Sequence, residues 1–284
     1  MNDIPFGGEE SHWTDYESAN IVVFSVPYDS TATWQKGADL GPGAILEASA
    51  HVELYDIETD SEVHLQGIHS FQLPHLPESP EELTQVIRQN FSSFIKDGKF
   101  PVMLGGTHSI TPGAVQGIRD YFSDITALQL DAHADLRESF HGSMFNHACV
   151  MARVKEVCPA VQVGIRSMAR EECDRVDISK VFFARDIFLK DNWIEKVIDL
   201  LSSHVYVTID LDVFDPSIIP STGNPEPGGL GWYQITGLLK KVAEERHVVG
   251  FDVAELMPNK YNRAPDFIAA KLVFQFLSYI FKNR

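Results

Sequence analysis

Two short segments of the chain place acidic and imidazole side chains at every second position. Asp131, His133 and Asp135 alternate with two alanines, and Asp210 and Asp212 flank a single leucine. In an extended chain, alternate side chains point to the same face. Converging carboxylates repel one another and lose hydration, so they require compensating cations. Aspartate oxygens and imidazole nitrogens suit divalent ions such as Mn²⁺, and the spacing therefore predicts a metal site.

The charges of these side chains predict two ions. The four aspartates carry four negative charges, which two divalent cations balance, while His108 and His133 add neutral ligands. Paired ions of this kind lie about 3.5–4 Å apart and share a hydroxide that is nucleophilic near neutral pH. The residues therefore predict a hydrolytic centre.

The segments that must position these residues alternate between strand length and helix length. Apolar runs rich in valine and isoleucine predict buried strands over residues 21–26, 101–104, 125–130, 161–165, 181–184, 205–209 and 248–251. Amphipathic stretches predict helices over residues 42–54, 80–96, 147–157, 193–201, 232–245 and 265–281. This order predicts an α/β fold with a mostly parallel central sheet between two layers of helices.

The candidate ligands follow the predicted strands. His108, the residues from Asp131 to Asp135, the residues from Asp210 to Asp212, and Glu255 each come just after a different strand. Ligands of open parallel sheets bind beyond the carboxyl ends of the strands, so one sheet edge should collect all of them. The Gly/Pro-rich residues 216–231 are expected to form a long functional loop, and residues 1–284 a single domain.

The composition excludes several classes of partner. The net charge is −17, from 23 Lys+Arg against 40 Asp+Glu, which disfavours binding to nucleic acid or to an anionic membrane and suits a cationic ligand. Three cysteines without a CxxC pair predict neither a disulfide framework nor a zinc ribbon. Residues 1–10 lack the features of a secretory signal, and we expect a cytoplasmic protein.

Three motifs resemble the metal-binding motifs of the arginase/agmatinase ureohydrolases. They are GGTHS at residues 105–109, DAHAD at 131–135 and DLDVFDP at 210–216. The resemblance runs from residue 21 to about residue 281 and is greatest to agmatinases. It implies a three-layer α/β/α sandwich, two Mn²⁺ ions per chain, hydrolysis of a guanidino compound to urea and an amine, and a homo-oligomer, either a trimer or a hexamer.

The same resemblance implies a ligand set for each ion. One ion would be held by His108, Asp131, Asp135 and Asp210. The other would be held by Asp131, His133, Asp210 and Asp212. Asp131 and Asp210 would then bridge the two ions.

The resemblance also assigns roles around the metals. Glu255 matches the family glutamate that pairs with the guanidinium group, and Asp135 is expected to orient the hydroxide as well as to bind metal. In the family, a histidine in the loop after the second motif carries a proton, and the resemblance implies that its counterpart here also contacts substrate. His141 and His147 both lie in that loop, and the alignment favours His147.

The expected substrate is agmatine, which would yield putrescine and urea in polyamine biosynthesis. Arg137 is suited to pair with a carboxylate, so guanidinobutyrate, guanidinopropionate and arginine remain alternatives. Thr107, Asp39 and Asn224 stand where the family usually has an acidic residue, arginine and threonine. Thr107 keeps a non-catalytic regulatory member open as an alternative. A zinc-dependent deacetylase, with its single catalytic metal, is disfavoured by the second ligand set.

Overall fold

The computed structural model describes residues 5–8 and 15–282, which are built around one sheet of eight strands. The strands are β1 Ile21–Val26, β2 Ile68–Gln72, β3 Phe100–Gly105, β4 Ile125–Leu130, β5 Ala160–Ile165, β6 Val181–Phe183, β7 His204–Asp210 and β8 His247–Ala254. They lie in the order β2-β1-β3-β8-β7-β4-β5-β6, and every pair is parallel. The ends of β3, β8, β7 and β4 therefore lie side by side, which brings the candidate ligands to one edge.

Helices cover both faces of this sheet. They are α1 Gly41–Ser49, α2 Pro80–Lys96, α3 Thr111–Arg119, α4 Val150–Lys155, α5 Ala184–Leu189, α6 Trp193–Leu200, α7 Trp232–Glu245 and α8 Ala264–Phe281. Helices α1, α6, α7 and α8 contribute to the apolar core on one face, and α2, α3 and α4 to the core on the other. The predicted three-layer α/β/α sandwich is confirmed.

The elements differ from the sequence-based prediction in several places. All seven predicted strands are present, whereas β2, α3 and α5 were not predicted. Helix α1 ends at Ser49 rather than at residue 54. The helix predicted over residues 147–157 is a 3-10 turn at His147–Cys149 followed by the short α4.

The two aspartate-rich segments are not extended strands, so the alternation argument for their geometry was wrong. Strand β4 ends before Asp131, and Asp135 has a positive φ of 52°. Strand β7 ends at Asp210, and Asp212 lies in the 3-10 turn Leu211–Val213. Tight turns at the strand ends, rather than a pleated strand, bring these carboxylates together.

Residues 216–231 form a long loop that closes beside the end of β7. Asp215 Oδ2 accepts hydrogen bonds from the N–H groups of Gly228 (3.0 Å) and Gly229 (3.1 Å). Phe214 forms a parallel bridge with Leu230. The loop is thereby anchored at both ends next to the ligand-bearing turn.

Helix α8 is long and apolar enough to cross a membrane by length and composition. However, 72% of that stretch is buried inside the fold. It packs against α1 and α7, so it is a core helix of the sandwich.

Candidate metal centre

His108 lies just beyond β3 and faces two aspartates. Its Nδ1 atom is 3.1 Å from Asp131 Oδ2 and 3.2 Å from Asp135 Oδ2. The three side chains are buried, and one ligand atom from each lies within 4.8 Å of the others. We call these three residues the His108 group.

A second set of side chains shares Asp131 with the first. His133 Nδ1 is 2.8 Å from Asp212 Oδ2 and 3.7 Å from Asp131 Oδ1. The imidazole of His133 is 25% exposed, whereas that of His108 is 1% exposed. We call Asp131, His133 and Asp212 the His133 group.

Asp210 lies beside both groups. Its Oδ2 atom is 3.7 Å from His108 Nδ1, and its Oδ1 atom accepts a hydrogen bond from the N–H of Asp212 at 2.9 Å. The fold thus brings all six of the predicted metal ligands together at the carboxyl edge of the sheet. Two ligand groups that share one aspartate fit a dinuclear metal site.

A buried hydrogen-bond network holds the far side of the His108 ring. Nε2 of His108 is 2.7 Å from Thr208 Oγ1, and the Thr208 hydroxyl donates to Asp252 Oδ1 at 2.7 Å. The Asp252 carboxylate also accepts from Tyr206 (2.6 Å) and Thr111 (3.1 Å). Because the Thr208 hydrogen points to Asp252, the His108 Nε2 atom must donate to Thr208 Oγ1.

This tautomer tests whether a cation fits the site. Although burial lowers the pKa of His108, hydrogen bonds to Asp131 and Asp135 raise it well above its ordinary value, so without a metal Nδ1 holds a proton between these carboxylates. When that proton is lost, the Nδ1 lone pair faces the same oxygens. Burial, and then the Asp131 charge, raise the pKa of Asp135 to about 7, and burial raises the pKa of Asp210 well above its ordinary value. Lone pairs and carboxylates that converge in a buried site require positive charge between them, which divalent ions supply.

Glu255 follows β8 and lies next to the His108 group. It has a positive φ of 67°, and its Oε1 atom accepts a hydrogen bond from the backbone N–H of His108 at 2.7 Å. Burial raises the pKa of Glu255 to about 8. One of its two oxygens is thus already partnered, and a cation beside the carboxylate would favour its charged form.

The two histidines that compete for the proton-carrier role lie in different places. His147 lines the cavity that also contains His108, His133 and Glu255, and burial lowers its pKa to about 4. Its Nδ1 atom is buried without a hydrogen-bond partner in the part of the chain that the structure describes. His141 is exposed on the preceding loop, with a positive φ of 48°.

Thr107, the unusual residue before His108, lies in a cluster of hydroxyl groups. Its Oγ1 atom is 3.0 Å from Thr31 Oγ1 and 3.0 Å from Ser109 Oγ, and it donates to the Tyr28 carbonyl at 3.3 Å. The absence of a charge at this position is therefore accommodated by neutral hydrogen bonds. Thr107 does not displace any of the six predicted ligands.

The mouth of the cavity carries aromatic and cationic side chains. Trp34, Arg137, Phe140 and Asn224 line it, and the Trp34 side chain is 75% exposed. Arg137 is ion-paired with Glu171, and its guanidinium lies 4.5 Å from the centroid of the Phe140 ring. The charge of Arg137 is therefore already compensated.

Sequence reasoning missed the residues that support the ligands. Thr208 lies two positions before Asp210 on the same face of β7, so strand periodicity offered a signal for it. Arg166, just after β5, donates hydrogen bonds to backbone carbonyls near Asp212. Every residue has a backbone carbonyl, so the sequence gives no sign of which carbonyls Arg166 contacts.

A parallel α/β sandwich whose carboxyl edge gathers four aspartates and two histidines defines a class of metal-dependent hydrolases. A family model for the arginase family matches residues 19–278. The chain therefore belongs to the arginase family, and it is an agmatinase-like ureohydrolase.

Three known proteins illustrate this relationship. The N(1)-aminopropylagmatine ureohydrolase of Synechocystis sp. is 37% identical over 277 residues, covering 94% of this chain and 90% of that protein. The agmatinase of Pyrococcus horikoshii is 34% identical over 268 residues, covering 92% of each. The crystal structure of the agmatine ureohydrolase of Thermoplasma volcanium matches with a TM-score of 0.90 at 32% identity, covering 99% of this chain and 96% of that chain.

Proposed function

We propose that this protein uses two Mn²⁺ ions to hydrolyse a guanidino amine to urea and an amine, with agmatine as substrate and putrescine as product. The observation that carries the proposal is the convergence of the His108 and His133 groups on Asp131, beside Glu255 in one cavity. Oxygen and imidazole ligands suit manganese.

The two groups support a specific division of ligands. His108, Asp131, Asp135 and Asp210 would hold one ion, and Asp131, His133, Asp210 and Asp212 would hold the other. When bound, such ions make water nucleophilic near neutral pH. The position of Asp210 beside both groups supports its role as a bridging ligand.

The remaining chemistry falls to side chains that line the cavity. Glu255 would orient the guanidinium through the oxygen not used by the His108 N–H. Asp135 would orient the attacking water. His147 lines the cavity with its Nδ1 atom unpartnered among the described residues, and it would relay a proton to the departing nitrogen. An alkylamine needs that proton because its conjugate acid has a pKa of about 10.4.

The mouth of the cavity favours amines over guanidino acids. Arg137, the cation that lines the cavity, is already ion-paired with Glu171 through Nη1, which reduces its attraction for a substrate carboxylate. The net charge of −17 also favours a substrate with two cationic ends.

A second candidate substrate is N(1)-aminopropylagmatine. The relative at 37% identity carries that name, and the cavity opens past the exposed Trp34 ring, whose face can bind an ammonium group. We also propose that the protein is a cytoplasmic homo-oligomer, trimeric or hexameric, whose size light scattering would measure.

The test combines metal loading with urea release. Chelator-treated protein is titrated with MnCl₂, and urea is measured with agmatine, N(1)-aminopropylagmatine, arginine and 4-guanidinobutyrate. We expect two manganese equivalents per chain and faster turnover of the two amines than of the two acids. An Asp210→Asn protein purified in parallel controls for contaminating activity.

Each result has a defined meaning. Saturation at one manganese would contradict the dinuclear assignment. Preference for arginine or 4-guanidinobutyrate would contradict the amine specificity. Binding of two ions without urea release from any guanidino compound would favour a regulatory role instead.

A further inference from the structure

Arg166, which follows β5, holds three separate segments of backbone through one half-buried guanidinium group. The guanidinium donates hydrogen bonds to five backbone carbonyl oxygens, those of Gly164 (3.1 Å), Asp212 (2.6 Å), Val213 (3.5 Å), Phe214 (3.3 Å) and Glu226 (2.9 Å). The first belongs to β5, the next three to the turn that carries Asp212, and the last to the loop of residues 216–231. The guanidinium therefore fixes the position of that turn and of that loop relative to the sheet.

The main chain of Arg166 contacts the other ligand-bearing turn. Its N–H donates to the Ala132 carbonyl at 2.8 Å, and the N–H of Ser167 donates to the same oxygen at 3.0 Å. Ala132 lies between Asp131 and His133, and its own N–H donates to Asp212 Oδ1 at 3.0 Å. One residue thus connects the backbone that carries Asp131 and His133 to the backbone that carries Asp212.

The loop held by Arg166 also approaches the His133 ring. Glu226 Oε1 is 3.8 Å from His133 Nε2, on the side of the ring that faces away from Asp212. This distance is too long for a hydrogen bond, so the Glu226 carboxylate acts on the His133 imidazole through its charge alone. By fixing the Glu226 backbone, Arg166 also sets where this carboxylate lies.

We infer that Arg166 is a positioning residue for the His133 group and not for the His108 group. The His108 ring is held instead by Thr208 and by the Glu255 contact to its backbone. This inference rests on the proposed dinuclear function.

The chemistry of the side chain explains why arginine is required. A guanidinium presents five N–H donors in a rigid planar fork, so it serves several carbonyls at once. Lysine keeps the charge but offers three donors from a single nitrogen atom on a flexible stem. Arg166→Lys should therefore keep the positive charge but lose the planar fork of hydrogen-bond donors. Arg166→Gln should lose both the charge and the fork.

The chain offers a matched control in Arg246, which is also half-buried and also donates to backbone carbonyls. Its partners are Ile198 (2.8 Å), Leu201 (3.2 Å) and Glu245 (2.8 Å). Arg246 precedes β8, at the edge of the sheet opposite the metal centre. Arg246→Lys removes the same kind of fork without touching either ligand group.

The experiment is a calorimetric titration of metal-free wild type, Arg166→Lys, Arg166→Gln and Arg246→Lys with MnCl₂, with thermal melting as a check on folding. We expect both Arg166 variants to bind one ion as wild type does and the other about 10–100-fold more weakly. Arg246→Lys should bind both ions as wild type does. Adding Arg166→Lys to His133→Ala should weaken binding of the second ion little beyond His133→Ala alone, because Arg166 acts through the group that the His133 substitution has already disrupted.

Several outcomes would overturn the inference. They are unchanged manganese affinity in both Arg166 variants, an equal loss of affinity for both ions, and the same loss of affinity in Arg246→Lys. Failure of the proposed function would look different. Wild type that binds a single ion removes the dinuclear site and this inference with it. Wild type that binds two ions without releasing urea contradicts only the proposed reaction, and the Arg166 titration still decides the inference.

Discussion

His108 and His133 both direct Nδ1 towards Asp131, yet the structure supports the two rings by different means. The His108 ring is buried, and its far nitrogen contacts a network of side-chain hydroxyls that ends on Asp252. The His133 ring borders solvent, and the backbone around it is fixed by Arg166 and by the loop of residues 216–231.

This difference predicts which substitutions will affect each group. A buried network has no water to replace a lost hydroxyl, so the His108 group should be sensitive to single side chains beneath it. The His133 group should depend more on how its backbone turns are anchored. Asp131 belongs to both groups and Asp210 lies beside both. Substitution of either aspartate should therefore affect both metal ions.

The largest effect should come from Asp210→Ala, compared with Asp212→Ala. Asp210 adjoins both groups, so its loss should release both ions and lower turnover at least about a thousandfold. Asp212→Ala should retain one manganese in the His108 group. Elemental analysis of manganese-loaded variants, with kcat for agmatine, measures both effects. Equal retention of both metals in the two variants would refute the bridging role of Asp210.

His147→Asn should lower turnover about 10²–10⁴-fold, the usual contribution of a general acid–base group. His147 lines the cavity but belongs to neither ligand group, so both manganese ions should stay bound. The control is His141→Asn, at the exposed position on the same loop, which should turn over nearly as wild type does. If His141→Asn lost turnover while His147→Asn kept it, the proton-carrier role would belong to His141 instead.

The layered fold followed from the sequence because buried parallel strands are continuous apolar runs. Strand β2 escaped prediction because it lies at the edge of the sheet and its residues His69 and Ser70 are polar. Helix α3 contains Gly113 and Gly117, which normally disfavour a helix. Both glycines are needed for packing, since added Cβ atoms would lie 2.5 Å from the Thr84 carbonyl oxygen and 2.7 Å from that of Arg88.

The candidate ligands could be predicted because their residue types cluster at strand ends. Their geometry could not, because it depends on positive φ angles at Asp135 and Glu255, which are uncommon outside glycine. The partner of Arg137 was also unpredictable, since Glu171 is distant in sequence. Contacts between side chains of separate loops depend on the completed fold.

Thr208→Val should weaken manganese binding at the His108 group about 10–100-fold and leave the His133 group unchanged. The substitution preserves shape but removes the oxygen that accepts from His108 Nε2 and the hydrogen donated to Asp252. Thr208→Ser keeps the hydroxyl and should bind both ions nearly as wild type does. Manganese titration of the metal-free proteins measures both affinities.

This variant is the counterpart of Arg166→Lys, which should affect only the other group. If Thr208→Val and Arg166→Lys both weakened binding of the same manganese ion, the two groups would not be supported independently. The comparison between the buried and the exposed histidine would then fail.

Glu255→Gln should have the smallest effect, a fall of about tenfold in kcat/KM for agmatine, mainly through KM. The glutamine oxygen can still accept from the His108 N–H, so the backbone of the His108 group should remain in place. The amide nitrogen would then replace the oxygen proposed to face the guanidinium, and loss of that charge-assisted bond costs about 1.5 kcal/mol or more. Steady-state kinetics and manganese titration of the same preparation separate substrate recognition from metal binding. Unchanged kinetics would mean that the guanidinium binds elsewhere, whereas loss of an ion would mean that Glu255 supports the His108 group itself.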